Sequence, residues 1–266
     1  SKNDHQQEYH QHRFENGLRF IYKQVQNTRI SHCGVALDIG SRDELEHEQG
    51  IAHFWEHMAF KGTENRKAFH IINRLESIGG ELNAYTTKEK IYFYSTTLDQ
   101  YLDRAVDLLS DITFRSTFPQ KEIDKEAGVI IEEINMYEDS PEDAVFDEFD
   151  EVLFGNHPIG RNILGTKESV RSFKQEDFFS FIDRNLDTSR AIISIVSNHS
   201  FEKVLKIVSK HFEGIEKKSS TKNRVITPTL PPQHIVKYKA ISQAHCMLGR
   251  TCFPISHKNR IPFFML

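Results

Sequence analysis

Long apolar runs are missing from this chain of 266 residues: no stretch approaches the roughly 18 consecutive apolar residues that a membrane helix requires. A membrane partner is therefore not expected. Residues 1–15 are too polar to supply the apolar core of a signal peptide, although a chain starting at Ser rather than Met is also compatible with a leader removed upstream. Cysteine is scarce. Cys33, Cys246 and Cys252 are the three copies, and none has CxxC spacing. That excludes a disulfide framework and suits a reducing compartment, so a cytoplasmic location is expected. A basic stripe is missing too: 34 basic residues stand against 38 acidic ones, a net charge of -4, which argues against a nucleic-acid partner. Disorder is excluded by 38% hydrophobic residues, and the length suffices for one large domain or one domain plus part of another.

The apolar pattern reads as blocks of strands and blocks of helices. Residues 18–25 and 33–39 are short, partly alternating segments that read as strands, with Asn16-Gly17 as the turn before the first. A helix is predicted over 49–60 and another over 68–78, with Phe69, Ile72 and Leu75 on its inner face and Gly79 as its stop. Residues 80–86 and 90–98 read as a hairpin turning at Lys88-Glu89. Asp99 can cap a helix carrying Leu102, Val106, Leu109 and Ile112. Pro119 opens a helix running to about Tyr137, and a further helix spans 141–154, with Phe146, Phe149 and Phe154 expected in the core. Helices near 168–185, a buried strand over 191–197 and a helix bearing Val204, Leu205, Val208 and Phe212 follow. Cys33, in a core strand, is expected to be a buried thiol. This order predicts an α+β fold, a mostly antiparallel sheet covered by helices on one face.

Residues 214–233 are polar and contain Pro228, Pro231 and Pro232, the composition of a linker. The expected division is a first domain over 1–216, a linker over 217–233 and the beginning of a second, similar domain over 234–266. Two features suggest the front part of a longer two-domain protein. The sequence stops inside the apolar run of Phe263, Phe264, Met265 and Leu266. The segment 244–253 followed by 258–266 also weakly echoes strand 33–39 followed by the helix near His53.

Histidine is abundant, with 14 copies, and two of them are not scattered. His53-Phe54-Trp55-Glu56-His57 is an HxxEH pentad. On a helix, positions i and i+4 lie about 5–6 Å apart at Cβ, so both imidazoles can address one metal ion. Glu56 sits on the same edge and can reach a water without ligating. About 0.06 such pentads are expected in a random chain of this composition, so two satisfied surface histidines are the less favoured explanation. Two imidazoles leave a catalytic site one protein ligand short. The helix after Pro119 offers Glu122, Glu126, Glu132 and Glu133. Glu126 and Glu133 share a face with Val129 and Ile130, while a solvated helix surface explains any one of these carboxylates equally well.

Three stretches in order, AHFWEHMAFKGT (52–63), GGELNAYTTKEKIYFY (79–94) and EAGVIIEEINMYEDSP (126–141), resemble the pitrilysin or insulinase family of zinc peptidases, the inverzincins. The resemblance covers most of residues 14–266. It implies a processing-peptidase-like metallohydrolase fold and Zn2+ held by His53, His57 and Glu133. It further implies Glu56 as catalytic base and Glu126 as a second glutamate that supports the site without binding metal. Asn83, Ala84 and Tyr85 fall on the strand that binds an extended peptide in the family, a mode that uses main-chain hydrogen bonds and little sequence selectivity. The implied reaction is hydrolysis of peptide bonds in unfolded or extended peptides, in a bacterial protein. The implied partners are a missing C-terminal domain or a partner subunit, including a second copy of the chain. The alternative is a noncatalytic structural or regulatory subunit, against which the intact polar cluster counts. A small-molecule metallolyase is disfavoured because no cysteine follows His57 at a third-ligand position. His157, Pro158, Gly160 and Arg161 read as an ordinary turn.

Overall fold

The computed structural model describes residues 9–227 and 229–265; Pro228 and Leu266, and the polar start before Tyr9, lie outside the described residues. Six strands form one sheet: β1 (His10–Arg13), β2 (Arg19–Gln24), β3 (Ile30–Leu37), β4 (Glu81–Thr86), β5 (Ile91–Leu98) and β6 (Ile192–Ser197). Their order is β1-β2-β6-β3-β5-β4, so β6 inserts between two strands that are neighbours in sequence. Only the β2/β6 pair is parallel; the other four are antiparallel, as the α+β reading expects.

Strand alternation puts Val35 and Leu37 of β3, Ile91 and Phe93 of β5, and Ile193 and Ile195 of β6 on the buried face. Helices cover that face. α1 (Ile51–Met58) packs on β4, and α3 (Leu102–Phe114) packs on β3 and β5, burying Leu102, Val106, Leu109 and Ile112 as their spacing predicts. α8 (Phe201–Phe212) lies beside α3 and buries Val204, Val208 and Phe212. The remaining helices are α2 (Ala68–Glu76), α4 (Gln120–Asp139), α5 (Pro141–Phe154), α6 (Lys167–Ser172), α7 (Gln175–Asn185) and the short α9 (Arg260–Phe264).

Four local expectations are corrected. Helix α2 turns the Ile71 and Leu75 ridge inward and leaves Phe69 and Ile72 exposed; a two-turn helix with apolar residues at 69, 71, 72 and 75 has two ridges to offer, and only one meets the core. Helix α5 buries none of its residues fully, and Phe146 is 62% exposed, because α5 rests on α4 and the turn at 158–160 rather than on the sheet. Asp99 does not cap α3; it sits inside a 3-10 turn and accepts a hydrogen bond from the Ser31 hydroxyl. Residues 244–253 contain no strand, so the echo of β3 is one of sequence only. Cys33 is buried as expected, and burial pushes its thiol up to about 11.

The polar segment after residue 216 holds no helix or strand through its described residues to 233, but it is not loose throughout. Arg224 forks onto the buried Asp43 carboxylate, with Nε 2.8 Å from Oδ1 and Nη2 2.7 Å from Oδ2. It also donates to the Glu89 carbonyl at 2.9 Å, tying this segment to the β4–β5 turn.

Candidate metal centre

The pentad lies on α1, whose sequence leaves its polar residues a single place to go. Ile51, Ala52, Phe54, Trp55 and Met58 are each at most 1% exposed, so the core takes most of the helix circumference and His53, Glu56 and His57 share the remaining strip. The helix start is fixed from outside. Gly50 precedes it at φ 93, where a Cβ would come within 2.5 Å of the Leu164 carbonyl. The Glu44 carboxylate, buried beside it, accepts from the Gly50 and Ala52 amides at 3.0 Å each and so satisfies orphan donors at the helix start. Burial raises Glu44 well above the usual carboxylate range, opposed by those two amides.

Helix α4 packs across α1 and supplies the carboxylates. Glu133 Oε2 lies 3.7 Å from His53 Nε2 and 3.6 Å from His57 Nε2. The donor atoms of His53, His57 and Glu133 all lie within 4.8 Å of one another, close enough for one metal ion. Bonds of 2.0–2.1 Å in tetrahedral geometry separate donors by about 3.3 Å, near the two distances seen. Two nitrogens and one oxygen are a donor set that suits a borderline cation with one position left open.

The two imidazoles are supported unequally. His57 Nδ1 is 2.9 Å from Glu126 Oε1, and Lys61 Nζ is 2.7 Å from Glu126 Oε2. His53 is almost fully buried, and its Nδ1 has no hydrogen-bond partner. Burial, aided by the neighbouring His57 charge, lowers His53 to about 4, so it is neutral and ready to ligate at physiological pH. Burial also works against charge on His57, but the hydrogen bond with Glu126 and the negative charge of Glu126 and Glu133 prevail and raise it to about 9. The two carboxylates thus favour positive charge on the imidazole that lies between them. Glu133 is lowered by the facing His57 imidazole, with His53 adding to the effect. Glu126 is lowered despite burial, by His57 and Lys61.

Glu56 stands apart from the donor cluster. Its Oε2 accepts from the Thr86 hydroxyl at 2.6 Å, and burial raises its pKa, which favours a group able to take up and return a proton. Thr86 ends β4, the strand at the sheet edge. Asn83, Ala84 and Tyr85 precede it: Asn83 is exposed and its Oδ1 accepts from the Ala84 amide at 2.8 Å, while Tyr85 stacks on Tyr92 with ring centroids 4.5 Å apart. The structure therefore gathers His53, His57, Glu133, Glu126 and Glu56 at one place, with the 83–85 edge leading to it. Glu132 joins none of the contacts of the cluster. Arg161, from the turn near His157, donates to the Glu44 carbonyl at 3.2 Å.

Glu44 and Lys61 escaped the reading of the sequence, as did the bond of Thr86, on the expected edge strand, to Glu56. Lys61 carried a faint signal, four residues after His57 and therefore on its side of the helix axis; Glu44 and the Thr86 bond carried none, because their partners are set by tertiary packing.

The pattern described as insulinase, peptidase family M16, matches residues 19–167, and that of the M16 inactive domain matches residues 172–266. An uncharacterised zinc protease of Bacillus subtilis (strain 168), YmxG, is 36% identical over 244 residues, 92% of this chain and 59% of that protein. The beta subunit of the mitochondrial-processing peptidase of Saccharomyces cerevisiae is 35% identical over 205 residues, 77% of this chain and 44% of that one. The chain spans about half the length of the curated relatives it matches. In fold it is similar to pitrilysin, with a TM-score of 0.78 and 22% identity over 87% of this chain and 25% of that chain.

Proposed function

The chain belongs to the insulinase family of peptidases, M16, and from that membership we propose that it is a zinc-dependent peptidase hydrolysing bonds in unfolded or extended peptides. The observation that carries this reading is the donor set: two imidazoles and a carboxylate converge from α1 and α4, with a separate carboxylate of raised pKa beside them. His53, His57 and Glu133 would hold the zinc. When bound, zinc lowers the pKa of a coordinated water toward about 7 and stabilises negative charge developing on a carbonyl oxygen.

The remaining work falls to the protein's own side chains. Glu56 accepts the proton of the attacking water and returns it to the leaving amine, while the Thr86 hydroxyl fixes which carboxylate oxygen is free for that exchange. Glu126 accepts from His57 Nδ1 and so assigns the tautomer that leaves Nε2 for the metal. The β4 edge offers its main chain to an extended peptide near Asn83, Ala84 and Tyr85, which leaves sequence selectivity to other contacts.

We assign the catalytic unit to residues 1–216 and treat 217–233 as a connection to a second domain beginning at 234; a further domain or partner subunit, which a second copy of the chain would also provide, completes the enclosure around substrate. No helix among the described residues is long and apolar enough to cross a membrane, and a cytoplasmic location is proposed.

The test is metal content measured alongside chelator-sensitive cleavage of an unstructured peptide. Glu56→Gln is expected to keep zinc and to lose turnover by at least about 100-fold, the usual worth of a positioned base. Glu133→Ala is expected to lose both. Full zinc in Glu133→Ala would remove the ligand assignment.

A further inference from the structure

Glu126 is a carboxylate with each oxygen committed to a different donor, His57 Nδ1 on Oε1 and Lys61 Nζ on Oε2. Both donors come from the same short segment. Lys61 lies one helical turn beyond His57, where its amide still bonds to the Met58 carbonyl at 3.0 Å, so the two side chains reach the α4 carboxylate from one side. Glu126 is almost buried, its side chain 10% exposed. Rotating it would break two charge-assisted bonds at once. Among the described residues nothing duplicates this arrangement across the site, because His53 Nδ1 has no partner there.

We propose that Lys61 is a positioning residue for the metal centre: by holding the second oxygen of Glu126 it locks the carboxylate against His57 Nδ1 and so keeps His57 Nε2 aimed at Glu133 and His53. This inference rests on the reading of His53, His57 and Glu133 as zinc ligands. Removing the ammonium leaves Glu126 Oε2 without a donor inside a largely buried pocket, a loss the group relieves by turning away from the imidazole. His57 then has no acceptor, and the burden of orienting the donor set falls on packing alone. Arginine at position 61 can still donate to Oε2, whereas methionine matches the length of lysine without its charge or donors.

Zinc affinity, measured by competition with a chromogenic chelator, tests the idea independently of turnover. Lys61→Met is expected to weaken zinc about tenfold, in the range found for outer partners of ligating histidines, and Lys61→Arg to stay within about threefold of the parent protein. In a Glu126→Gln background, Lys61→Met is expected to add no further loss, since the two residues act in series. Circular dichroism confirms folding of each variant, and Lys61→Leu, which also lacks a donor, replaces Lys61→Met, with the same expectation, if the latter does not fold. An unchanged affinity in Lys61→Met, or an equal loss with and without Glu126, overturns the role of Lys61 while leaving the zinc reading intact. Absence of zinc binding by the parent protein overturns the zinc reading itself, and this inference with it.

Discussion

Helices α1 and α4 both feed the polar cluster, yet α1 is sealed into the core while α4 lies along the outside of the fold. Five of the eight residues of α1 are apolar and at most 1% exposed, whereas the twenty residues of α4 bury only Ile123, Ile130 and Ile134 among their large apolar side chains, pack Ala127, Ile131 and Tyr137 partly buried against the core, and leave Val129 and Met136 facing outward. The imidazoles are therefore placed by dense packing that would be there without any chemistry. The carboxylates are placed by an apolar seam, half of it only partly buried, together with the grip of His57 and Lys61 on Glu126. Half of the site is held by the core, and the other half is held by the site.

That contrast can be broken by experiment. The largest effect is expected for Phe54→Ala, which empties a fully buried ring site that packs against Phe173 and Phe178; it should cost about 3–5 kcal/mol in urea unfolding. The folded fraction should still bind zinc normally. Ile130→Ala should cost less, about 2–3 kcal/mol, since the seam can partly close, but should also weaken zinc because α4 shifts relative to α1. If instead Phe54→Ala weakens zinc in the folded protein and Ile130→Ala does not, the division between the two helices is wrong. The smallest effect belongs to Val129→Ala, at a half-exposed position one residue from Ile130, where unfolding should move by no more than about 0.5 kcal/mol.

How much of this was legible in the sequence follows the range of each interaction. The pentad could be read because its three polar residues are neighbours on one helix, and the spacing of Leu102, Val106, Leu109 and Ile112 announced α3 and its buried side. Glu133 is different. Periodicity left it one of four carboxylates on the same helix, and only a resemblance across a long separation singled it out; in the structure its Oε2 faces both imidazoles. The Lys61–Glu126 pair and the Thr86–Glu56 bond join residues far apart in the chain, and no local pattern encodes them. Inner faces were misread where a helix had a choice, as in α2, which presents Ile71 and Leu75 rather than Phe69 and Ile72. The phenylalanines of α5 misled for a related reason: apolar content identifies a helix able to pack, not which layer it joins.

Strand β6 has a consequence for how such a chain is made. It is the piece that joins β2 to β3, yet it follows Glu133 by a long stretch of sequence, so every member of the polar cluster leaves the ribosome before the sheet can close. Synthesis at about 5–20 residues per second makes that interval on the order of several seconds. During it, the edges of β2 and β3 that will flank β6 are unpaired and open to pairing with other chains. A nascent chain stalled between α4 and β6 would hold all the proposed ligands of its metal while lacking the strand that joins the two parts of the sheet.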